Sequence, residues 1–276
     1  MPSVLITGAA RGIGNAIGAY LAARGWDVIA GVRNDADAVR ANSAGFRPVI
    51  LDIANADHVA ALEESLPERL DAVVNNAGVV VGGPMEAVTP EELRRQFDVN
   101  VVGQIAVTQA VLPRLRRSRG RVVFISSLNG KISLPLLGAY SASKFAVEAV
   151  ADALRMELKP WGISVVLVEP AQTDTDMWRT ADALVEETAG AMSEQKRRLY
   201  DRHLAGLKKS IPMSQRLAGR PEKVAAVVEH ALTARRPRAR YVVGAGPRLQ
   251  LAFMNRLPTA ARDRVLRTLS SQPGRV

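Results

Sequence analysis

The chain of 276 residues contains no cysteine. Disulfides, iron–sulfur clusters, cysteine-ligated zinc and a thiol nucleophile are therefore excluded. Histidine is scarce as well, and His58, His203 and His230 follow no metal-ligand spacing. We interpret the three as solvated surface residues and predict no metal site, so that redox chemistry would need an organic cofactor.

Long hydrophobic runs are also missing. No segment approaches the roughly 18 consecutive apolar residues of a membrane span, and residues 1–20 have the pattern of a strand and a helix, not of a signal peptide. With 47% hydrophobic residues, the chain can bury a large core. We expect one cytoplasmic domain.

Apolar strand-like runs alternate with helical patterns along most of the chain. This alternation predicts an α/β fold, a doubly wound parallel sheet with helices on both faces. The predicted strands are 4–7, 27–32, 47–51, 70–75, 120–126, 164–169 and 241–243. The clearest predicted helices are 12–24, 56–66, 90–116, 139–158 and 221–234.

The first predicted strand leads into the turn Thr7-Gly8-Ala9-Ala10-Arg11-Gly12-Ile13-Gly14 and then into a helical pattern. Glycines there permit positive φ and close approach of the backbone to a pyrophosphate, and the helix N-terminus offers unpaired N–H groups. Alone, such a turn is a weak signal for dinucleotide binding.

Amide side chains occur at two further points of the pattern. Asn75-Asn76-Ala77-Gly78 directly follows the apolar run 72–74, at the carboxyl end of a strand, where open parallel sheets bind ligands. Asn100 lies midway along a helical stretch, a position for which asparagine has mediocre propensity. The alternative for Asn100 is a solvated helix residue.

The segment 127–144 carries a hydroxyl, a phenol and an ammonium at the spacing that carbonyl reduction requires. Tyr140 and Lys144 are four residues apart and share a helix face, and Ser127 precedes Tyr140 by 13 residues. A phenol is a poor base at neutral pH, but a neighbouring cation favours the phenolate. Ser127 would hold the substrate oxygen while Tyr140 gives or takes its proton. Alone, the Tyr–Lys pair is more often an exposed stacking pair.

Together, in this order and spacing, these motifs resemble the classical short-chain dehydrogenase/reductase family from residue 4 to about 244. The stretch 140–170 resembles its retinol and 17β-hydroxysteroid dehydrogenase branch. The resemblance implies a single Rossmann-type domain and a catalytic tetrad of Asn100, Ser127, Tyr140 and Lys144. Lys144 would also bind the ribose, and Asn100 would hold a relay water. Ser126 is a rival to Ser127, but the spacing of the family selects Ser127.

The resemblance also implies the cofactor contacts. These are Gly8, Arg11, Gly12, Ile13, Gly14, Arg33, Asp52, Ile53, Asn76, Ala77, Gly78, Tyr140, Lys144, Pro170, Thr173 and Thr175. The family usually has Pro-Gly where this chain has Pro170-Ala171. Alanine does not adopt positive φ cheaply, so we expect the backbone to follow a different path there. Asp52 has a structural alternative, as part of the N-terminal turn of the next helix.

The end of the second strand indicates which dinucleotide is preferred. NAD-binding chains have an acidic residue there that accepts hydrogen bonds from the adenosine ribose, whereas this chain has Val32. Arg33 and Arg11 would bind a 2′-phosphate. The pattern favours NADP(H), with NAD(H) possible if both arginines are only solvated.

Apolar residues surround the proposed reaction centre. The predicted substrate contacts are Ser127, Leu134, Leu137, Tyr140, Met177 and Trp178, and the segment 173–217 would close over them. An apolar lining favours a lipophilic alcohol and its ketone or aldehyde. The alternatives are a reductase of another carbonyl class, such as a 3-oxoacyl thioester, and a dinucleotide sensor without turnover. The family also implies a homodimer or homotetramer.

Positive charge is concentrated at the end of the chain. Residues 196–276 hold 19 of the 37 basic residues and 4 of the 27 acidic ones. We predict the domain at 1–246 and a basic amphipathic tail at 247–276. Packing of the tail on the domain or on an oligomeric partner is favoured over an interfacial membrane helix, because Pro258 interrupts the pattern. Nucleic-acid binding is not expected, because no recognition motif accompanies the charge.

Overall fold

The computed structural model describes residues 1–274, apart from the side chains of Met177 and Trp178. Within this part, the chain forms a seven-stranded, all-parallel sheet in the order β3-β2-β1-β4-β5-β6-β7. The strands are β1 (Ser3–Thr7), β2 (Asp27–Val32), β3 (Arg47–Ile50), β4 (Ala72–Asn75), β5 (Arg121–Ile125), β6 (Ser164–Glu169) and β7 (Arg240–Val242). The predicted fold is confirmed. The strand order reverses between β1 and β4, where such sheets bind ligands.

Helices connect consecutive strands, and two more follow β7. They are α1 (Gly12–Ala22), α2 (Asp35–Ser43), α3 (Ala56–Ala60), α4 (Leu62–Ser65), α5 (Pro90–Phe97), α6 (Gln104–Ser118), α7 (Gly138–Glu157), α8 (Asp176–Arg179), α9 (Ala181–Ala191), α10 (Glu194–Arg216), α11 (Pro221–Thr233), α12 (Ala245–Met254) and α13 (Thr259–Leu269). The prediction of one helix over 90–116 is wrong, because a π-helical segment, Asp98–Gly103, separates α5 from α6.

Each face of the sheet has its own hydrophobic core. Side chains alternate along β1, so that Val4 and Ile6 pack towards α1 and α11 while Leu5 packs towards α6 and α7. Val, Ile and Leu on both faces of a strand are the pattern of a sheet covered by helices on both sides. The two cores fix the carboxyl ends of the strands, from which the candidate site is built.

Two helical segments cover the carboxyl edge of the sheet. Helices α8–α10 form a lid, in which Val185, Leu204 and Ile211 pack on Leu136. Helices α12 and α13 form the tail, which packs on the domain through the hydrophobic cluster that we call the tail cluster. Its buried members are Leu128, Ile132, Leu251, Met254 and Leu266. Among the described residues, no helix is long and apolar enough to cross a membrane.

The interpretation of all three histidines as solvated surface residues is wrong for two of them. His58 and His203 are half-buried, and only His230 is exposed. The Nδ1 atom of His58 accepts a hydrogen bond from the backbone N–H of Asp52 at 3.2 Å. The ring of His203 lies 5.3 Å from that of Tyr200. Both therefore have packing roles.

Candidate active site

The glycine turn after β1 has the conformation that its sequence predicts. Gly8 has φ +66° and Gly12 has φ +58°. A Cβ atom on Gly14 would lie 2.3 Å from the carbonyl oxygen of Gly8, so any side chain there would clash. The side-chain amide of Asn76 donates to the carbonyls of Thr7 and Gly8 at 2.9 and 3.2 Å. The turn is thus joined directly to the end of β4.

The N-terminus of α1 is open to an anion. Arg11 is its N-cap residue and forms no side-chain capping bond, and the first turn has no acidic residue. Free N–H groups at a helix N-terminus bind phosphates. Thr175 approaches from the lid side, where its Cγ2 would lie 3.4 Å from a Cβ atom on Gly12. Ile13, at the same turn, is half-buried. These residues fit the pyrophosphate of a dinucleotide.

Val32 and Arg33, at the end of β2, have opposite environments. The side chain of Val32 is 1% exposed and packs in the core beside α1. Arg33 is exposed, as is Arg11. Two exposed guanidinium groups near the glycine turn suit a phosphate group.

Asp52 and Ile53 follow β3. The Oδ1 atom of Asp52 accepts a hydrogen bond from the N–H of Ala54 at 3.0 Å, which is the structural alternative for this residue. The side chain of Ile53 is 4% exposed and belongs to the core beneath α6. Ile53 can therefore contact a ligand through its backbone only.

Asn100 lies in the π-helical segment and is completely buried, which corrects the solvated alternative. Its Oδ1 atom accepts from the N–H of Val79 at 2.8 Å, and its Nδ2 atom donates to the Val79 carbonyl at 3.0 Å and to Ser143 Oγ at 3.1 Å. The Ser143 hydroxyl in turn donates to the Tyr140 carbonyl at 2.7 Å. Asn100 thus connects the loop after β4 to the helix that carries Tyr140.

Ser127 lies beside Tyr140, whereas Ser126 does not. Ser126 is 3% exposed, and its hydroxyl has no hydrogen-bond partner within the described residues. Ser127 is half-buried, and its hydroxyl lowers the pKa of the Tyr140 phenol against the effect of burial. Of the two serines, Ser127 is therefore the one whose hydroxyl is placed to act on the phenol.

Tyr140 and Lys144 lie one turn apart on α7. The Nζ atom of Lys144 is 5.8 Å from the centre of the Tyr140 ring and donates to the Ile125 carbonyl at 2.8 Å. Burial raises the pKa of Tyr140, and the hydrogen bond with Ser127 opposes this shift. Burial lowers the pKa of Lys144 to about 8, and the Glu148 carboxylate opposes that shift. Lys144 is only 4% exposed, so the alternative of an exposed stacking pair is wrong.

The segment after β6 passes close to Ser127. The carbonyl of Pro170 accepts a hydrogen bond from the N–H of Leu128 at 3.1 Å. Thr173 is 8% exposed, and its hydroxyl donates to the Ala171 carbonyl at 3.0 Å. Ala171 does not have a positive φ, and it packs against the tail cluster. Alanine is therefore accommodated without strain.

The loop between Ser127 and Tyr140 forms an apolar wall. Leu134 packs against the tail cluster and Leu136 is buried against the lid, while Leu137 is half-buried. The backbone of Leu136 has φ +64°, which is rare for leucine. The predicted substrate contacts Met177 and Trp178 have side chains outside the described residues.

The family model for short chain dehydrogenases matches residues 2–185, which is more than half of the chain. This chain belongs to the short-chain dehydrogenase family. It is therefore an NAD(P)-dependent oxidoreductase, and the family resemblance deduced from its motifs is confirmed.

Relatives of this short-chain dehydrogenase match it over nearly its full length. An NADPH-dependent 3-dehydrocapnine reductase from Ornithobacterium rhinotracheale is 34% identical over 96% of each chain. Retinol dehydrogenase 16 from Homo sapiens is 34% identical over 99% of this chain and 90% of the relative. A short-chain dehydrogenase structure from Streptomyces avermitilis has a TM-score of 0.77 at 27% identity, over 97% of this chain and 94% of the other.

Sequence reasoning missed three polar residues that support the site of this dehydrogenase. The hydroxyl of Thr7 accepts hydrogen bonds from the N–H groups of Asn76 and Ala77 at 3.0 and 2.9 Å. Gln96 is completely buried and joins α5 to the loop after β4, where its Oε1 atom accepts from Val81 N–H at 2.7 Å. Ser143 is the third. Thr7 and Gln96 gave a signal, since Thr7 begins the predicted glycine turn and Gln96 lies one helical turn before Asn100.

Proposed function

We propose that this short-chain dehydrogenase interconverts an apolar alcohol and its ketone or aldehyde, with Tyr140 as general acid and base and NADP(H) as the preferred cofactor. The observation that carries the proposal is that the Ser127 hydroxyl lies by the Tyr140 phenol and lowers its pKa, one helical turn from the buried Lys144. A hydroxyl, a phenol and an ammonium in this arrangement suit proton transfer to a carbonyl oxygen.

Each of the three residues has its own task. When bound, NADP(H) supplies or accepts the hydride. In the reducing direction, the Ser127 hydroxyl donates a hydrogen bond to the carbonyl oxygen, and Tyr140 transfers its phenolic proton to that oxygen. The charge of Lys144 stabilises the phenolate that remains. In the oxidising direction, the phenolate of Tyr140 accepts the proton of the alcohol.

The pKa shifts suit the reducing direction at neutral pH. Burial raises the pKa of Tyr140, so the phenol holds the proton that reduction needs. Oxidation needs the phenolate instead, and therefore becomes faster as pH rises. We expect kcat for alcohol oxidation to increase between pH 7 and pH 9, with kcat for carbonyl reduction nearly constant over the same range, because the raised pKa of Tyr140 keeps the phenol protonated there.

The cofactor preference rests on exposed cations and on a relative. Arg11 and Arg33 are both exposed near the glycine turn, where the 2′-phosphate of NADP(H) would bind. The reductase from Ornithobacterium rhinotracheale, which matches 96% of this chain, is NADPH-dependent.

The substrate class rests on the apolar wall. Leu136 and Val81 are 7% and 6% exposed, and Leu137, next to Leu136 in sequence, is half-buried. Apolar walls select substrates that need few hydrogen bonds. The relative that matches 99% of this chain is a retinol dehydrogenase, and retinol is an apolar alcohol. A dinucleotide sensor would not require Ser127, Tyr140 and Lys144 to converge.

The proposal is tested with NADPH and two aldehyde or ketone substrates, all-trans-retinal and 2-decanone. Tyr140→Phe removes the transferred proton and leaves the ring in place, so kcat should fall about 10²- to 10⁴-fold. Tyr200→Phe is the matched control, because Tyr200 bonds to Glu86 on the lid surface. Retention of more than a tenth of kcat by Tyr140→Phe would exclude Tyr140 as the acid. Failure of the native protein on both substrates would contradict the substrate class.

A further inference from the structure

A group of buried charged side chains lies one helical turn beyond Lys144. Glu148 and Glu169 are 5% and 1% exposed. The Oε2 atom of Glu148 is 2.5 Å from Lys131 Nζ and 2.9 Å from Arg240 Nε. The Oε1 atom of Glu169 is 3.9 Å from Lys131 Nζ and 3.5 Å from Arg240 Nε. We call these four residues the charge cluster.

The charge cluster joins the chain segments that carry the proposed catalytic groups. Lys131 follows Ser127 by four residues, and Glu148 follows Lys144 by one turn of α7. Glu169 is the last residue of β6, directly before the loop that passes Ser127. Among the described residues, no other set of ion pairs connects these three segments.

The cluster is close to electrical balance. Two carboxylates face two cations, and Asp152 adds a half-exposed carboxylate that accepts from Arg240 at 2.7 Å. Burial and the neighbouring Glu148 raise the pKa of Glu169 to about 7, against the opposing charges of Lys131 and Arg240. Buried charges of this kind are costly unless each has a partner.

Lys144 is the third cation near these acids, and it has no carboxylate of its own. Its Nζ atom donates to a backbone carbonyl, that of Ile125, which carries no full charge. Its nearest acid along α7 is Glu148, since residues four apart on a helix are neighbours. The titratable groups that face Lys144 are thus Tyr140 and Glu148 on α7, with Glu169, Lys131 and Arg240 behind Glu148.

We propose that Glu148 is a positioning residue for the reaction: its carboxylate, held by Lys131 and Arg240, keeps the ammonium of Lys144 charged inside the protein. Its catalytic consequence rests on the proposed function, in which the charge of Lys144 stabilises the phenolate of Tyr140. The effect of Glu148 on the pKa of Lys144 involves only residues of this chain and can be measured without substrate.

The decisive measurement is the titration of Lys144 by NMR on protein with ¹³Cε-labelled lysine, its signal assigned by Lys144→Arg. In Glu148→Gln, the titration midpoint should move down by about one pH unit, because an opposite charge one helical turn away is lost. Glu169 cannot replace it, because near pH 8 it is already ionised. An unchanged midpoint would overturn the proposal.

Two further variants separate this effect from general damage. Lys131→Met removes a cation behind Glu148, so the midpoint of Lys144 should move up, opposite in sign to Glu148→Gln. Asp152→Asn is the matched control: it removes a carboxylate from the same Arg240 two turns from Lys144 and should leave the midpoint within about 0.2 pH unit. If Glu148→Gln fails to fold, the midpoint of Lys144 in Lys131→Met tests the proposal instead. The absence of an upward shift there refutes the proposal.

Activity supplies the second readout. In Glu148→Gln, kcat for alcohol oxidation at pH 9 should fall about tenfold while KM for the alcohol stays within a factor of two, because only the phenolate is affected. A shifted Lys144 midpoint with an unchanged pH profile of kcat would overturn the positioning role. The NMR result holds even if Tyr140 proves not to be the acid, so the two proposals fail independently.

Discussion

At the scale of single residues, cofactor choice depends on side chains that lie outside the core. Val32 stands where NAD-binding chains carry an acid, but it is 1% exposed. A carboxylate at this position would be buried among apolar side chains, at a cost of several kcal/mol. Substitution of the exposed Arg11 and Arg33 is therefore the better test of NADP(H) preference.

Arg33→Ala should weaken NADPH binding about 10- to 150-fold, because one charge-assisted hydrogen bond to the 2′-phosphate is worth about 1.5 to 3 kcal/mol. NADH binding should change less than about threefold. Arg24→Ala, at the other end of α1 and stacked on Tyr20, is the control. Fluorescence titration with both cofactors measures the affinities. A native protein that prefers NADH would show that these arginines only contact solvent.

The polar residues of the site differed in how far sequence could predict them. Tyr140 and Lys144 were predictable because both lie on one helix at fixed spacing. The buried state of Asn100 was not, because its bonds to Val79 and Ser143 join residues 21 and 43 positions away. Helical periodicity carries no information on such partners.

At the scale of secondary structure, buried parallel strands were the most predictable elements. Their continuous apolar runs placed every strand within two residues of its observed bounds. The π-helical break at Asp98–Gly103 was missed because the pattern of 90–116 is continuous in sequence. Helix α2 was not among the clearest predicted helices because it is polar, although Asn34 caps it by accepting from Asp37 N–H.

The packing of the tail on the domain can be tested by comparing substitutions at two adjacent residues of α12. Met254 is 1% exposed in the tail cluster, whereas Phe253 is 58% exposed. Met254→Ala should lower the free energy of unfolding by about 2 to 4 kcal/mol, and Phe253→Ala by no more than about 0.5 kcal/mol. Urea denaturation measures both. Equal effects of the two substitutions would contradict packing of this helix on the domain.

Helix α12 also allows a test of whether the tail binds to membranes. Exposed Leu249 and Phe253 lie on one face with Arg248 and Arg256. An interfacial helix would carry the protein to anionic vesicles at low salt, and Phe253→Ser would abolish this. We expect the native protein to remain unbound in flotation, because the apolar residues of α12 that a membrane would need are divided between two faces.

At the scale of the whole molecule, Glu169 makes stability depend on pH. Its pKa is raised to about 7 in the folded protein, from 4.5 as its ordinary value. The folded state therefore binds this proton more tightly, and the resulting stabilisation is complete below pH 4.5 and lost as pH rises through 7. Glu169→Gln should remove this dependence, so that the difference in Tm between variant and native protein grows in favour of the variant from pH 5 to pH 8. Calorimetry at both values checks the sign.

Sequence could not predict the charge cluster. Its members are at positions 131, 148, 169 and 240, and each alone has the pattern of a surface charge. They meet because the ends of β6 and β7 lie beside α7, which is a property of the assembled sheet. Only topology brings such residues together.

The contact between Ala171 and the tail couples the end of the chain to the segment that passes the candidate site. Ala171 follows the Pro170 segment, and the tail also reaches the lid, where the amide of Gln272 donates to the His203 carbonyl at 3.2 Å. A ligand that orders the segment from Ala171 to Thr175 stabilises the tail against local opening. Trypsin cleaves after arginine, and α13 contains Arg262, Arg264 and Arg267. NADPH should therefore slow tryptic removal of the tail, although every bond that is cut lies far along the chain from the glycine turn.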